Sequence, residues 1–460
     1  MLPGRKGSAL HLGGSPQDLS APAAFGLDPF WLSLGLLLAT YAILTLDRIN
    51  RAIVALLGAA LMLLAGVVDQ DRAIAGEDFN TLALLIGMML LVGIARPSGM
   101  FQYLAFWSAR VTRGEPGALL ALLTLVTAVV SAGLDNVTTV LLIAPVTLVI
   151  TTELKLAPFP FLFSEVLGSN IGGTATLIGD PPNILIGSAT GLSFNQFIIH
   201  LTPVILLALA VQIAIGHVIW GRRMTVAPEA RAHVLTFRAA DAITDRPLLV
   251  KSLAVFVLVL AAFAFGERLG FKPGATAIAG AALLLLLDNW HRPVQEQARR
   301  VQASFAEVEW ITISFFVGLF VIVAGVARAG VLEWFAGVIL KATGGSLTSA
   351  ALLILWASAL LSALIDNIPF VATMIPVIKG MAPNLGGEQA LQPVWWALSL
   401  GACLGGNGTL IGASANLTVA GIAERNGIAF GFLTFLKLAF PMMILSVAVA
   451  MGYLLLRYLI

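Results

Sequence analysis

Two stretches of this chain place an aspartate and an asparagine side by side in apolar surroundings: "SAGLDNVTTVLLIAPV" at Ser131–Val146 and "SALIDNIPFVATMIPV" at Ser362–Val377. Seven of their sixteen positions are identical, in order Ser, Ala, Asp, Asn, Val, Pro and Val. Burying a carboxylate and an amide among apolar groups is costly unless both are hydrogen-bonded or have a task there. The repetition therefore predicts two related elements that carry polar groups into the interior.

The composition identifies the solvent of this protein as a lipid bilayer. The 460 residues are 59% hydrophobic and 11% charged, and the mean hydropathy is +0.96. A soluble domain carries about 25% charged residues. Several apolar runs reach the roughly 20 helical residues that span a hydrocarbon core, and open strands cannot satisfy their backbones in lipid. We therefore expect an all-α polytopic membrane protein.

The composition also restricts the chemistry. Cys403 is the only cysteine, which excludes an internal disulfide framework and a multi-cysteine metal site. The sequence has no P-loop, zinc-ligand spacing or catalytic triad, so it predicts no catalytic residues, no enzyme and no resident cofactor or metal. The net charge is +2 and no long basic run occurs, so nucleic acid is not an expected partner. Transport would have to draw on an ion gradient or on a partner protein.

The chain repeats itself in two blocks that have almost the same spacing. In the first block, Asp78–Val146 aligns without a gap on Glu309–Val377. In the second block, "GSNIGGTATLIGDPPN" at Gly168–Asn183 aligns on "GACLGGNGTLIGASAN" at Gly401–Asn416. Chance similarity of two apolar helices explains matched leucines, but not a repeated Asp-Asn, Gly-Gly and Thr-Leu-Ile-Gly. We expect a true internal repeat.

Each half is expected to contain three spans, a hairpin that folds back at its Asp-Asn pair, a broken span and a last span. The fold class is then two inverted repeats with about 10 transmembrane helices, two re-entrant helical hairpins and two broken helices. The predicted boundaries are a polar N-terminal tail at 1–28, a first repeat at 29–220 with hairpin 117–152 and broken helix 159–190, a cytoplasmic linker at 221–247, and a second repeat at 248–460 with hairpin 346–379 and broken helix 394–424.

The length of a hairpin arm predicts how the hairpin enters the membrane. The second arm of the later hairpin, 368–378, has eleven residues before Lys379. At about 1.5 Å per residue it reaches roughly 16 Å, half of a membrane, so we expect each hairpin to enter and leave on one side. The halves then have opposite topology. Arg48, Arg51 and most other arginines fall on one side, which the positive-inside rule makes cytoplasmic.

Both broken spans contain a segment that cannot continue a helix. "GGTATLIGDPPN" combines paired glycines with a Pro-Pro that lacks two backbone donors, and "GGNGTLIGASAN" relies on glycines alone. Exposed N-termini of half-helices favour anions or polar oxygen atoms, and unwound carbonyls favour cations. Lipid tolerates such backbone only where protein buries it or where it lines a wet cavity. We therefore expect the two tips and the two breaks to meet at one central polar site.

The candidate binding residues all lie at a tip or at a break. They are Asp135, Asn136, Thr138, Thr139, Asp366 and Asn367 at the tips, and Gly172, Gly173, Thr174, Thr176, Asp180, Asn183, Asn407, Thr409, Ser414 and Asn416 at the breaks. Asp135, Asp180 and Asp366 are also candidate proton-coupling residues, because a carboxylate near the bilayer centre costs several kcal/mol and is a functional group by default. The alternative is that Asp135 and Asp366 only cap their helices.

These motifs resemble the ion transporter superfamily, in particular the group with the ArsB arsenite permeases, the NhaD sodium/proton antiporters and the melanosomal P protein. "LDNVTTVLLIAPV" and "GGTATLIGDPPN" are similar to that group's first hairpin and broken helix, and the likeness covers nearly all of the chain after the polar tail. The resemblance implies a scaffold domain and a moving transport domain. It also implies that Asn136, Asn367 and the breaks around Gly179 and Gly412 line the ion or substrate site.

The expected function is secondary active transport, namely ArsB-like, proton-coupled efflux of arsenite or antimonite. Related divalent-anion/sodium symporters have Ser-Asn-Thr at the tip, whereas this chain has Asp-Asn-Val, and Asp180 precedes its Pro-Pro. Both differences add acid and favour proton coupling or a neutral or cationic cargo. Neutral arsenite, As(OH)₃, can be bound by hydrogen bonds to amides, hydroxyls and carboxylates. The alternatives are a sodium/proton antiporter and an organic-anion or dicarboxylate symporter.

The expected location is the inner (plasma) membrane, which the chain crosses several times. Its expected partners are arsenite or antimonite, protons and the lipid bilayer. An arsenite-stimulated ATPase subunit and a second copy of the chain in a homodimer are further candidates.

Overall fold

The computed structural model describes residues 26–46, 48–236 and 238–459. Every regular element in these residues is helical. Nine of their helices are long and apolar enough to cross a membrane, and two shorter apolar helices accompany them. The expected all-α polytopic fold is confirmed. Positions 1–25 of the predicted tail at 1–28 lie outside the described residues.

The α-helices, numbered in chain order, are α1 Pro29–Leu46, α2 Arg51–Leu64, α3 Gln70–Ala75, α4 Phe79–Ala95, α5 Met100–Val111, α6 Pro116–Gly133, α7 Asn136–Glu153, α8 Phe159–Gly173, α9 Pro181–Thr190, α10 Phe194–Gly216, α11 Pro228–Thr236, α12 Arg246–Phe265, α13 Pro273–Asn289, α14 Val294–Ala306, α15 Trp310–Arg328, α16 Val331–Thr343, α17 Leu347–Leu364, α18 Asn367–Met381, α19 Gln392–Gly405, α20 Ser414–Arg425 and α21 Phe432–Leu454.

Two helix pairs join the halves of the chain. Helix α4 packs on α13, and α2 packs on α15. A Cβ atom at Gly87 would lie 2.5 Å from the carbonyl carbon of Ala277, and one at Gly318 would lie 2.6 Å from that of Ala55. Gly87 and Gly318 are equivalent positions of the first repeated block. Only glycine permits backbones to approach this closely, so equivalent glycines set both crossings.

Two further pairs hold each hairpin against its broken helix. The first arm α6 packs on α8, and α17 packs on α19. A Cβ atom at Gly172 would collide with the carbonyl oxygen of Ala128, and one at Gly405 would lie 2.5 Å from that of Ala359. These contacts also occupy equivalent positions, so the paired glycines of each half keep its break next to its hairpin.

The hairpins turn within two residues, 134–135 and 365–366. The later arm α18 has 15 residues and continues past Lys379, so the prediction of an eleven-residue arm was wrong. Lysine ends the apolar run but is a good helix former, so the helix continues through it. Lys379 Nζ donates to the carbonyl oxygen of Ala189 at 2.5 Å. Entry and exit of the hairpins on one side of the membrane stay a prediction.

Both broken spans are interrupted as expected, at 174–180 and at 406–413. After the interruption, each half-helix packs on the hairpin of the other half, with α9 on α18 and α20 on α7. This exchange brings the two tips and the two breaks into one region.

The segment 221–247, expected as a linker without core periodicity, contains α11, which packs on α5 and α7. Val234 is buried, and Arg231 Nε donates to the carbonyl oxygen of Arg113 at 2.5 Å. His233 Nδ1 lies 3.2 Å from Glu153 Oε2. Polar contacts position this helix more than an apolar stripe does, which explains why hydrophobic periodicity did not predict it.

Candidate functional site

Both Asp-Asn pairs cap the second arm of their hairpin. Asp135 Oδ1 accepts from the backbone N–H of Thr138 at 2.8 Å, and its Oδ2 accepts from the Thr138 hydroxyl at 2.5 Å. Asp366 Oδ1 accepts from the backbone N–H of Ile368 at 3.2 Å. Such caps satisfy helix N–H groups that have no intrahelical partner. Capping occupies both oxygens of Asp135 and only one oxygen of Asp366.

The second oxygen of Asp366 faces an arginine. Oδ2 accepts from Arg51 Nη1 at 3.1 Å and from the Ser414 hydroxyl at 3.1 Å. Arg51 also donates to the Ser414 hydroxyl, and its Nη2 donates to Thr312 Oγ1 at 2.8 Å. The two charged side chains are only 25% and 22% exposed. The tip of the second hairpin is thus anchored to the first turn of α2.

Sequence reasoning grouped Arg51 with the cytoplasmic loop arginines and did not include it in the site. A usable signal was present, because Arg51 is the first residue of an apolar helix. A long charged side chain there can reach into the bundle, whereas a loop arginine is solvated.

In each half, one asparagine amide bridges two carbonyls of the unwound segment. The bonds run from Asn183 Nδ2 to the carbonyls of Thr174 (3.0 Å) and Thr176 (2.8 Å), and from Asn416 Nδ2 to those of Gly406 (2.9 Å) and Thr409 (2.8 Å). One threonine hydroxyl in each half then ties the break to the preceding hairpin arm. These bonds run from Thr176 to the carbonyl of Ala132 (2.6 Å) and from Thr409 to that of Ala363 (2.5 Å).

Asn170, which sequence reasoning did not include, connects these elements. Its Nδ2 donates to Oδ1 of Asn407 and of Asn416, both at 2.9 Å, and its Oδ1 accepts from Asn136 Nδ2 at 3.1 Å. All four side chains are buried. One amide therefore joins the first tip to the second broken span. The available signal was an amide two residues before the Gly-Gly of a broken helix.

A small cavity of about 20 Å³, room for about one water molecule, lies at the centre. Three carboxyl groups, from Asp135, Asp180 and Glu309, line it together with Arg51. Asp180 is buried, and its Oδ1 is 3.5 Å from Asn367 Nδ2. No hydrogen-bond partner to Asp180 Oδ2 occurs among the described residues. The centre is therefore acidic and polar, with one carboxyl oxygen unsatisfied.

Glu309 is the third site residue that sequence reasoning missed. It is the N-cap of α15, and its Oε2 accepts from the Thr312 hydroxyl at 2.9 Å. Its position was visible in the repeat, because Glu309 aligns with Asp78, the N-cap of α4. Two acids at equivalent helix starts could have indicated that one of them faces the centre.

A larger cleft of about 290 Å³ adjoins the ion pair. Arg51 and Ser414 line both this cleft and the small cavity, and Asp366 lines the cleft. Asn50 and Thr418 add an amide and a hydroxyl to its wall. The contacts among Arg51, Asp366 and Ser414 thus separate the small cavity from a space large enough for a small solute.

The predicted site residues gather at this centre, but they do not all present free side chains. Asp135, Asn136, Asp180, Asn367 and Ser414 line the small cavity. The others bond the backbone, bond a neighbouring side chain or pack closely in the same region: Thr138, Thr139, Gly172, Gly173, Thr174, Thr176, Asn183, Asn407, Thr409 and Asn416.

Apolar helices around a buried centre of carboxylates, amides and unwound backbone define a membrane transporter. The sequence profile of the citrate transporter family, CitMHS, matches residues 41–401, and the chain belongs to this family.

The relatives support the same class. An uncharacterized transporter of Mycobacterium tuberculosis is 42% identical over 431 residues, which are 93% of this chain and 98% of that protein. The P protein of Homo sapiens is 35% identical over an alignment of 510 positions that covers 93% of this chain and 60% of that protein. The chain is therefore a secondary transporter and not an enzyme, and its bacterial relatives imply the plasma membrane.

Two solved structures share the fold. The YdaH transporter of Alcanivorax borkumensis superimposes with a TM-score of 0.59 at 17% identity, covering 93% of this chain and 98% of that chain. MtrF of Neisseria gonorrhoeae gives a TM-score of 0.57 at 13% identity, covering 96% of this chain and 97% of that chain. At these identities the likeness concerns the fold alone.

Proposed function

We propose that this protein couples transport to protons by alternating access, with Asp180 and the neighbouring carboxyls as the proton-binding group. The observation that carries the proposal is the composition of the small cavity, where three carboxyls share one cation. That cation, Arg51, is already paired with Asp366. Several like charges in a poorly solvated site are unstable unless protons or cations neutralise them. A centre that binds and releases protons would couple transport to a proton gradient.

Asp180 is the strongest single candidate within this group. It is the N-cap residue of α9, yet its side chain makes no capping hydrogen bond. A carboxylic acid carries one O–H donor, so the neutral form of Asp180 can turn that donor toward a bound solute or water in the cavity. Asp135, by contrast, already uses both oxygens on Thr138.

We propose arsenite and antimonite, exported against inward protons, as the cargo. A cleft of about 290 Å³ accommodates such a small solute beside the acidic centre. The amide of Asn50 and the hydroxyls of Ser414 and Thr418 can hydrogen-bond a neutral hydroxide, which needs no further cation. The likeness of the hairpin and break motifs to arsenite permeases supports the same cargo.

Arg51 favours a second candidate, a small organic anion. The family is described as citrate transporters, and a guanidinium group released from Asp366 could hold a carboxylate in bidentate fashion. Arg51 is, however, the only cationic side chain among the described residues that line the two cavities. A tricarboxylate would therefore be poorly neutralised, which places the organic anion second.

The test offers arsenite, sodium and citrate separately to everted vesicles with an imposed pH gradient. Gradient-driven arsenite accumulation that a protonophore abolishes, and that Asp180→Asn removes, is the expected result. Asp71→Asn is the charge-matched control, because Asp71 is an exposed carboxyl that lines neither cavity, and this variant should retain transport. Sodium exchange without arsenite transport would instead establish an antiporter, and citrate transport that depends on Arg51 would establish the second candidate.

A further inference from the structure

A second cleft, of about 280 Å³, is lined by residues of α4 and α9 in the first repeat and of α12 and α13 in the second. The "GAAL" motifs at Gly58 and Gly280 align α2 with α13. In this alignment and in those of the two repeated blocks, four lining positions of this cleft correspond to four of the cleft beside the ion pair. The equivalent positions are Asn80 and Ile311, Leu84 and Phe315, Ile184 and Leu417, and Lys272 and Asn50.

The two clefts differ in the part of the broken span that faces them. In the first half, Ser188 near the end of α9 donates to Asp78 Oδ1 at 2.8 Å and accepts from Asn80 Nδ2 at 3.0 Å. In the second half, the cleft is lined by Leu417, one turn before Gly421, which is the equivalent of Ser188. The hydrogen bonds that Ser188 makes to Asp78 and Asn80 therefore have no counterpart at Gly421, which has no side chain, although the equivalent residues Ile184 and Leu417 both line their clefts.

A second contact also differs between the two halves of the chain. The Tyr41 hydroxyl donates to the carbonyl of Pro369 at 2.7 Å and lies 2.5 Å from Thr373 Oγ1. The position equivalent to Thr373 is Leu142, so the hydroxyl that contacts Tyr41 in one half corresponds to an apolar side chain in the other.

We infer that the protein has a second arrangement in which the halves exchange these contacts, and that in it Lys272 faces Asp135 as Arg51 faces Asp366 here. Lys272 is the N-cap residue of α13, as Asn50 is of α2, one position before Arg51. The flexible four-carbon stem of lysine covers that difference of one residue. Among the described residues, neither Lys272 nor Asp135 makes an ion pair in the present arrangement, and Asp135 would have to release one of its two bonds to Thr138 to form one. Lys272 is thus a positioning residue for the second arrangement.

The inference rests on the proposed alternating access and gives it a specific electrostatic form. In each arrangement one basic side chain neutralises the carboxylate of one hairpin tip, Arg51 in the present arrangement and Lys272 in the second one. The carboxylate of the other tip then lacks a cation. Asp135 is the tip without a cation here, and Asp366 becomes that tip after the exchange. The proton-binding tip therefore alternates with the conformation.

Disulfide cross-linking in a Cys403→Ala background tests the exchange. The pair Asn80→Cys with Ser188→Cys reports the present arrangement, in which the two side chains are bonded. The equivalent pair Ile311→Cys with Gly421→Cys reports the second arrangement. A Cβ atom at Gly421 meets nothing within 4 Å, and Ile311 is 53% exposed, so these substitutions leave the packing intact. We expect both pairs to cross-link in vesicles.

The roles of the two cations are tested by their effect on the ratio of the two cross-links. Lys272→Ala should lower the Ile311–Gly421 cross-link relative to the Asn80–Ser188 cross-link by at least about fivefold, and Arg51→Ala should shift the ratio in the opposite direction. Lys272→Arg should restore the original ratio.

These outcomes separate the inference from the proposed cargo. Cross-linking is measured without any solute, so a protein that exchanges both cross-links and fails to move arsenite refutes only the cargo. A protein that transports any of the three solutes and never forms the Ile311–Gly421 cross-link overturns the exchange. An unchanged ratio in Lys272→Ala overturns the role of Lys272.

Discussion

The two hairpin tips carry the same Asp-Asn pair and have different electrostatic surroundings. Both carboxylate oxygens of Asp135 accept hydrogen bonds from Thr138. One oxygen of Asp366 accepts from a backbone N–H, and the other pairs with Arg51. The position equivalent to Thr138 is Pro369, which offers neither a backbone N–H nor a hydroxyl. A single difference in the first turn of the second arm thus leaves one carboxylate oxygen free for an ion pair.

The comparison shows how one motif serves two purposes. At the first tip the aspartate is a complete N-cap, and at the second it is a partial cap and an electrostatic anchor. The same pattern recurs at Asn170, which bonds three other asparagines, and at its equivalent Cys403, whose thiol is 3.7 Å from Asn183 Oδ1. Equivalent positions therefore share backbone geometry and differ in their chemistry.

The largest effect is expected at the unequal pair Asn170 and Cys403. Asn170→Ala removes three buried hydrogen bonds and leaves amide groups of its partners unsatisfied, which should cost about 3–5 kcal/mol of folding free energy. Thermal unfolding of the detergent-solubilised protein measures this loss. Cys403→Ala is the matched control and should cost about 1 kcal/mol. Equal losses for the two substitutions would refute the central role of Asn170.

The next effect concerns the two aspartates themselves. Asp366→Asn leaves Arg51 without its counter-charge, so we expect proton-driven transport to fall at least tenfold and stability to fall by about 2 kcal/mol. The pair is partly exposed, which keeps this loss below that of a fully buried ion pair. Transport under an imposed pH gradient and thermal unfolding measure the two effects.

Asp135→Asn separates capping from coupling at the other tip. Asparagine is as good an N-cap as aspartate, so the folding free energy should change by less than about 0.5 kcal/mol. If Asp135 belongs to the proton-binding group, gradient-driven transport falls although the protein inserts normally. Retention of full activity would show that Asp135 is a cap only.

The difference between Thr138 and Pro369 can itself be removed. Pro369→Thr provides Asp366 with the N–H and the hydroxyl that Asp135 has, so the second tip should turn both oxygens to its own helix and weaken the pair with Arg51. We expect a several-fold loss of transport and a change in stability of no more than about 1 kcal/mol. Thr138→Ala, which frees an oxygen of Asp135, is the reciprocal variant.

The absence of any additional effect of Arg51→Ala in the Pro369→Thr background would confirm that both substitutions act on one ion pair. Strictly additive effects would contradict the explanation based on the released oxygen.

The smallest effect lies outside the spans, at Glu77, whose equivalent is the buried Val308. Glu77 is half-buried, and its Oε2 has no hydrogen-bond partner among the residues that the structure describes; this burial raises the pKa of its carboxyl from 4.5 to about 7. The folded state binds the proton more tightly than the unfolded state, so this contribution to stability is complete below pH 4.5 and is lost as the pH rises through 7.

Glu77→Gln should therefore reduce the difference in melting temperature between pH 5 and pH 8 by a few degrees. Asp71→Asn removes an exposed carboxyl of the neighbouring helix α3 and is the charge-matched control. If the pH dependence survives in Glu77→Gln and disappears in Asp71→Asn, Asp71 and not Glu77 is the group responsible for it.

Much of the fold followed from local signals. Gly-Gly, Pro-Pro and Asp-Asn act within a few residues, since they break a helix, remove donors or cap a turn, and both breaks and both tips lie where these signals stand. The arm of α18 was misjudged because the end of the apolar run at Lys379 was equated with the end of the helix, although lysine is a good helix former. Helix α11 was missed because polar contacts with distant segments hold it.

The amino-acid order alone accounts for a membrane-embedded helical bundle, its repeated plan and the convergence of acidic and amide groups at two tips and two breaks. The packing decides which of these groups face each other. Arg51 and Asp366 are 315 positions apart, and Asn170 and Asn416 are 246 apart. Capping and helix breaking depend on neighbours along the chain, whereas partner choice in an ion pair or an amide network depends on which helices lie side by side. For that reason the sequence indicated where the acids lie, and only the folded bundle showed that one of them has a cation.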